Sequence, residues 1–296
     1  MKISAKILSL VVASVLIVSS PLTGNAKSNN GKGNDKGNNV KEKIKQEKLI
    51  EDKQEQKKEK NINNNKEWKE AKDKLQLIKD EVEQQKDELE SQKDELEKQY
   101  EEAKASENNE LTEQLKAQIQ EIETKRVELK NEMKSTQIQI KEVIKNRYSL
   151  EELEKLQEVA KELETATNQE GEEIVLIPVE SINVKNKDIK FDTPPVIKQG
   201  RTLIPVRAIT QGFGATLEWN QEDQKITIVK DDIEIILQID SNIAIVNGEE
   251  VEIDAPSSIY SNRTYVPLRF ISETFGLDVE YDEETGLTEI EDKEAN

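Results

Sequence analysis

Two stretches of this chain carry a pair of arginines at the same spacing. "RTLIPVRAITQGFG" runs from Arg201 to Gly214, and "RTYVPLRFISETFG" from Arg263 to Gly276, 62 residues further on. Arg201/Arg263, Arg207/Arg269 and, past the glycines, Glu218/Glu280 recur. Two carboxylates about 5–10 Å apart can hydrolyse a glycosidic bond, one as acid and the other as base or nucleophile. Paired arginines offer planar forks that hold an anion. Trp219 and Tyr281, next along, have faces on which a sugar ring could stack. Glu222-Asp223 and Asp282-Glu283-Glu284 form acidic turns, without the full spacing of a calcium loop.

What is missing limits the chemistry. The chain has no histidine and no cysteine. Serine and cysteine nucleophiles most often need a histidine base. Zinc and copper sites are usually built from imidazole and thiolate. No disulfide can form, and no lipid can be attached to a thiol. Carboxylate-pair chemistry is the class that survives.

Local pattern gives the recurring residues a second, plainer reading. Val206, Ile209 and Phe213 fall at i, i+3 and i+7, and Leu268, Ile271 and Phe275 match them, an apolar stripe on two turns of helix. Pro205 and Pro267 precede the stripes, where a first helical residue lacks an amide partner anyway. Gly214 and Gly276 follow, where a left-handed residue ends a helix. A strand then places Ala215, Leu217 and Trp219 on one face, matched by Leu277, Val279 and Tyr281. Arg207 and Glu218 lie opposite these faces, so both should point outward and form a local helix-to-strand pair. That pair would contribute under about 1 kcal/mol if exposed. Trp219 and Tyr281 share parity with core residues and are expected inside. On this reading no catalytic, cofactor-binding or metal-ligating residue is assigned, and no cofactor is expected.

The elements that must carry these residues come last in the chain. MKISAK, ILSLVVASVLIVSS and PLTGNA read as the three parts of a secretory signal peptide, residues 1–26, cut after Ala26. Its apolar run is shorter than the ~20 residues of a spanning helix, and no later segment is apolar enough to cross a bilayer. Residues 27–65 read as a basic Gly/Asn/Lys-rich linker. Its first part, to residue 40, is expected to be disordered, its charged middle is compatible with helix, and Asn61–Asn65 should break any helix there. Lysine outnumbers acid by 11 to 7 over residues 27–60, although the whole chain carries −19. The acidic body should repel nucleic acid. The basic arm could touch an anionic wall polymer or simply remain solvated. The Lys/Asn/Glu/Ile-rich composition is that expected of an exported protein from a Gram-positive bacterium.

Residues 66–147 follow a heptad. Trp68, Leu75, Val82, Leu89, Leu96 and Ala103 are each seven apart, with Ala71, Ile78, Gln85, Gln92 and Gln99 beside them. Ser106–Asn109 interrupts the pattern, which resumes with Leu115, Ile119/Ile122, Arg126/Leu129, Met133/Thr136 and Ile140/Val143. The simplest arrangement is a long antiparallel coiled-coil helical hairpin of roughly 60 Å. One continuous helix pairing with a second chain is the alternative. Ser149-Leu150-Glu151-Glu152 reads as a capping box opening a short connecting helix within 149–170, ending near Thr165. After Gly171 alternating β patterns begin. Asn247-Gly248 signals a two-residue hairpin. Residues 174–291 are expected to form one α+β domain, with 292–296 as a tail.

The stretch "FDTPPVIKQGRTLIPVRAITQGFGATLEW…VNGEEVEID…NRTYVPLRFISETFGLDVEYD" resembles the copper amine oxidase N-terminal-like, or stalk, domain family over about residues 185–290. The resemblance implies a small antiparallel sheet wrapped around helix, here with two internal repeats. In the amine oxidases it implies a domain that carries neither copper nor quinone. Those enzymes hold copper through histidines, which this chain lacks. The expected architecture is therefore α+β and multi-part, a helical hairpin followed by a stalk-like domain. The expected function is a non-enzymatic secreted or cell-envelope protein whose rod spaces or oligomerises an interaction module. Self-association, or another envelope protein, is the expected partnership. A wall- or polysaccharide-binding module using Tyr260 and Tyr265 as exposed aromatics is the alternative, and a carboxylate glycosidase the remoter one.

Overall fold

The computed structural model describes the backbone of residues 38–170 and 174–293, and side chains of residues 66–165 and 174–293. The expected signal peptide, the linker up to residue 37 and the tail from 294 lie outside the described residues. Two units divide after Glu55. In the first, described backbone is helical from Asn38. The second, Gln56–Asn296, holds every contact discussed below.

Three helices lead: α1 (Asn38–Ala105), α2 (Asn109–Asn146) and α3 (Leu150–Glu170). Helix α1 continues through Asn61–Asn65, where a break was expected, and residues 38–65 are therefore helix rather than disordered linker. Asparagine costs at most about 0.7 kcal/mol per helical residue, and with no Gly or Pro in the run that does not stop a helix propagating from charged, helix-favouring flanks. Between α1 and α2, Asn108 caps the second helix by accepting the Leu111 amide at 3.2 Å. Arg126 of α2 pairs with Glu90 of α1, and Glu123 of α2 with Lys93 of α1. On the expected heptad seam Trp68, Val82 and Ala103 are buried and Leu75, Leu89 and Leu96 half-buried, while Gln85, Gln92 and Gln99 face solvent. The capping box at α3 is present: Glu152 accepts the Ser149 amide at 2.8 Å and Ser149 Oγ accepts the Glu152 amide at 3.2 Å.

Short strands β1 (Ile174–Leu176), β2 (Ile182–Val184), β3 (Val196–Lys198) and β4 (Arg201–Pro205) follow, then helix α4 (Val206–Phe213) and strand β5 (Thr216–Asn220). Strands β6 (Lys225–Lys230), β7 (Ile233–Gln238), β8 (Ile243–Val246) and β9 (Glu249–Glu252) form a meander. The chain ends with β10 (Ser258–Tyr260), β11 (Arg263–Pro267), helix α5 (Leu268–Thr274), β12 (Leu277–Asp282) and β13 (Leu287–Asp292). They make three sheets, ordered β1-β3-β4-β11-β10, β12-β13-β2 and β5-β6-β7-β8-β9. The pairing is antiparallel except β13 with β2, which is parallel, a departure from the wholly antiparallel expectation. Asn247 and Gly248 join β8 to β9 with φ of 50° and 87°, the two positive values a tight primed turn needs. Pro205 and Pro267 sit one residue earlier than expected, as the last strand residues, with Val206 and Leu268 opening the helices.

The first and second phrases meet directly. Strand β4 pairs with β11 so that Ile204 lies opposite Val266, Pro205 opposite Tyr265 and Leu203 opposite Pro267. Alternation then divides the core. Ile204 and Val266 enter one cluster with Ile209, Ile271, Phe213 and Phe275, whose two rings lie 6.2 Å apart. Leu203 and Tyr265 enter a second with Val196, Tyr260 and Leu163 of α3. Helix α3 is thus the cover of the sheet's far face and not merely a connection. Gly212 of α4 approaches the 185–192 loop so closely that a Cβ there would lie 2.1 Å from Ile189 Cγ1.

Replacing Leu163, which is 0% exposed, by alanine opens a cavity beside Tyr260 and Tyr265. The expected loss is about 2–5 kcal/mol in urea unfolding, with blue-shifted tyrosine absorbance in the native state. A loss under about 0.5 kcal/mol, the level of an uncritical surface change, would mean α3 does not cover this sheet.

Candidate functional site

The recurring charged residues do not converge. Arg207, exposed on α4, pairs with Asp192 at 3.1 Å and not with Glu218. Arg269 on α5 reaches Glu273 at 3.5 Å and the Val279 carbonyl at 3.1 Å. Arg207 points outward as expected and Arg269 is likewise exposed, but the helix-to-strand Arg–Glu pair does not form. The 185–192 loop and the helix's own next turn supply nearer acceptors. Arg201 pairs with Asp254, and Arg263 with Glu162 of α3 at 3.8 Å. Glu218 stands on β5 and Glu280 on β12, strands of different sheets. Burial, then the neighbouring Glu83 carboxylate, pushes the Glu280 carboxyl above its ordinary range. Among the described residues no three carboxylates are grouped as a metal site. In the acidic turn, Asp282 accepts the amide and hydroxyl of Thr285, and Glu284 is held by Lys130 and Lys134.

The aromatics also move from their expected places. Tyr260 and Tyr265 are 2% and 0% exposed, so neither is a surface stacking platform. Their strand parity points them at α3, and Tyr265 donates its hydroxyl to the Pro194 carbonyl at 3.1 Å. Trp219 and Tyr281, expected inside, are 41% and 54% exposed. Their parity was read correctly. Trp219 begins a cross-strand row through Ile226, Leu237, Ala244 and Val251. The three central members are buried, while the edge residues Trp219 and Val251 lie past the covering layer. Tyr281 similarly follows buried Leu277 and Val279 along β12, out beyond the core.

What the chain does assemble is a polar joint between the helices and the β-domain. Along α1, Lys72, Gln76 and Lys79 are all buried, at i, i+4 and i+7 on one face. Lys72 Nζ donates to the carbonyls of Val184 at 2.6 Å and Lys187 at 2.9 Å. Asn183 Nδ2 donates to Gln76 at 3.1 Å and to Glu289 at 3.2 Å. Lys79 meets Glu289 at 3.0 Å, and Lys185 bridges Asp80 at 3.1 Å and Glu291 at 3.0 Å. Helix α2 adds a basic edge: Lys130 and Lys134 on Glu284, Lys141 on the Thr285 carbonyl, Lys145 on Glu180, and Arg147 on the Ile189 carbonyl. The Arg147 guanidinium also lies 4.5 Å from the Trp68 ring centroid. Tyr148 accepts the Phe191 amide at 2.9 Å, and burial pushes its hydroxyl up to about 12.

These partners set the charge states. Burial draws the Lys72 ammonium down to about 8, against the pull of Asp188. Burial also works against Lys79, but Glu289 outweighs it and holds that ammonium above its ordinary range. The heptad seam gave no sign of this face. Its lysines and glutamine read as solvated flank, and the partners Asn183 and Glu289 are 106 residues apart in sequence. The arrangement can orient and hold two bodies together.

Comparison with known proteins places the β-domain. Residues 183–290 match the family model of the copper amine oxidase N-terminal domain. The resemblance read from the sequence is thereby borne out over these residues. The chain is also similar to a primary amine oxidase of Klebsiella aerogenes, 30% identical over 88 residues, which is 28% of this chain. It spans 12% of that enzyme's length.

Between about pH 8 and pH 10.5 the unfolded chain binds more protons at residue 72 than the folded one, so this group makes stability rise with pH there. Relative to Lys72→Met, the wild-type chain should gain about 1–3 kcal/mol across that window in urea unfolding. A difference between the two proteins that stays flat with pH would show Lys72 to be unburied.

Proposed function

We propose that this is a non-enzymatic protein of the cell surface or extracellular space, in which a helical arm spaces or oligomerises a stalk-like interaction domain. The observation that carries the reading is the separate satisfaction of the four recurring arginines. Each arginine has its own local partner, and the two glutamates stand on different sheets. The doubled phrase then serves the fold. Its two copies are two internal repeats, and the direct opposition of Ile204 and Val266 supports that reading.

The arm is residues 66–147, read as an antiparallel coiled-coil hairpin. Support comes from the pairs Glu90–Arg126 and Lys93–Glu123, which step forward on one helix and back on the other. Export rests on the leader-like first 26 residues. Among the described residues no helix is long and apolar enough to cross a membrane. The matched family implies a domain without copper or quinone, and this chain has no histidine with which to hold copper in that family's manner. The wall-binding alternative loses its aromatic pair, Tyr260 and Tyr265, to the core.

The chain from Lys27 onward should release no hydrogen peroxide from primary amines, with or without added copper. It should scatter as an elongated or multimeric particle, with a radius of gyration clearly above the about 19 Å of a compact monomer of this length. Turnover that disappears in Arg207→Ala or Glu280→Gln would overturn the non-enzymatic reading. A compact monomer would overturn the spacer.

A further inference from the structure

A cleft of about 320 Å³ opens where α1, α2 and the β12–β13 turn meet. Lys86 of α1 and Arg126, Lys130 and Lys134 of α2 line it, with Met133 at its buried wall. The turn inserts one carboxylate, Glu284, whose oxygens lie 2.5 Å from Lys130 Nζ and 3.6 Å from Lys134 Nζ. Glu123, already held by Lys93 and Arg126, and Asp282, already held by Thr285, are the other acids at its edge. Lys86 is half-buried and has no carboxylate within ion-pair distance among the described residues. Lys86 is therefore the cleft cation without a carboxylate partner among the described residues, and Glu284, held by two lysines, sits where an anion would sit.

We propose that this cleft is an anion site, with Glu284 acting as its built-in occupant, and that its ligand is a compact phosphate monoester or pyrophosphate group. The choice of ligand follows from exchange. A single carboxylate, or one phosphodiester, would replace Glu284 charge for charge and gain nothing. A group with two or more negative charges keeps the Lys130 and Lys134 contacts and adds Lys86, beside an Arg126 already held by Glu90 and Glu123, in a setting where charge-assisted bonds are the strong ones. The net acidity of the chain works against long polyanions, which must pass the surrounding field, and less against a small one.

Calorimetric titration with pyrophosphate, at ionic strength near 0.15 M where long-range steering is screened, tests this on the full chain from Lys27. Glu284→Gln should bind pyrophosphate about tenfold more tightly than wild type, since the internal competitor is gone, and Lys86→Gln about tenfold more weakly. Lys86 makes no ion pair among the described residues, so its variant should keep the native circular dichroism and midpoint, separating loss of binding from loss of fold. Lys130→Ala/Lys134→Ala should abolish binding. Glycerol-phosphate polymer, with one charge per phosphate, should bind no better to Glu284→Gln than to wild type. Three results would overturn the site: no binding by either wild type or Glu284→Gln, binding indifferent to Lys86→Gln and Glu284→Gln, or preference for the phosphodiester polymer over pyrophosphate.

Discussion

Much of this β-domain follows from one pairing, β4 against β11. Because Ile204 meets Val266 face on, the residues flanking them alternate together, and the sheet has two apolar faces instead of one. A sheet apolar on both sides needs two covers. Helices α4 and α5 supply one, meeting at Phe213 and Phe275. Helix α3 supplies the other through Leu163. The second cover comes from outside the stretch that matches the amine oxidase domain, which begins at residue 183. The compact unit is therefore larger than the family match.

The joint with α1 and α2 rests on different physics. Its buried residues are mostly charged or amide-bearing, and a buried ion pair is retained more for geometry than for net stability. Polar contacts of fixed length specify one seating for the arm where an apolar face would tolerate several. Arg147 against Trp68 and Tyr148 against the Phe191 amide fix the same seating from the far end of α2. The spacer role proposed above requires a defined angle of attachment, which such a joint would supply.

Local signals were legible in the sequence, and contacts at long range were not. Asn247-Gly248, the Ser149–Glu152 box and the apolar stripes ending at Phe213 and Phe275 are each specified within a few residues, and each takes the form its spacing implies. Parity was legible for Trp219 and Tyr281, but cover was not, because cover depends on where another layer stops. Tyr260 and Tyr265 failed for the opposite reason: a helix about 100 residues upstream closes over them. Lys72, Gln76 and Lys79 carry no mark that separates a docked polar face from a wet one. The run at Asn61–Asn65 stays helical because asparagine is a weak helix former and not a breaker.

Gly212 makes the two copies of the phrase non-interchangeable. The second copy carries Thr274 at the matching place, with three more heavy atoms than the gap against Ile189 admits. A chain in which the later copy was transplanted over the earlier one would retain its strand, stripe and closing glycine. It would nevertheless drive the 185–192 loop off the helix, and that loop also carries the carbonyls that receive Lys72 and Arg147. The difference at a single small residue thus commits each copy of the phrase to its own neighbours, and putting the later copy in place of the earlier would loosen the seating of the helices on the 185–192 loop.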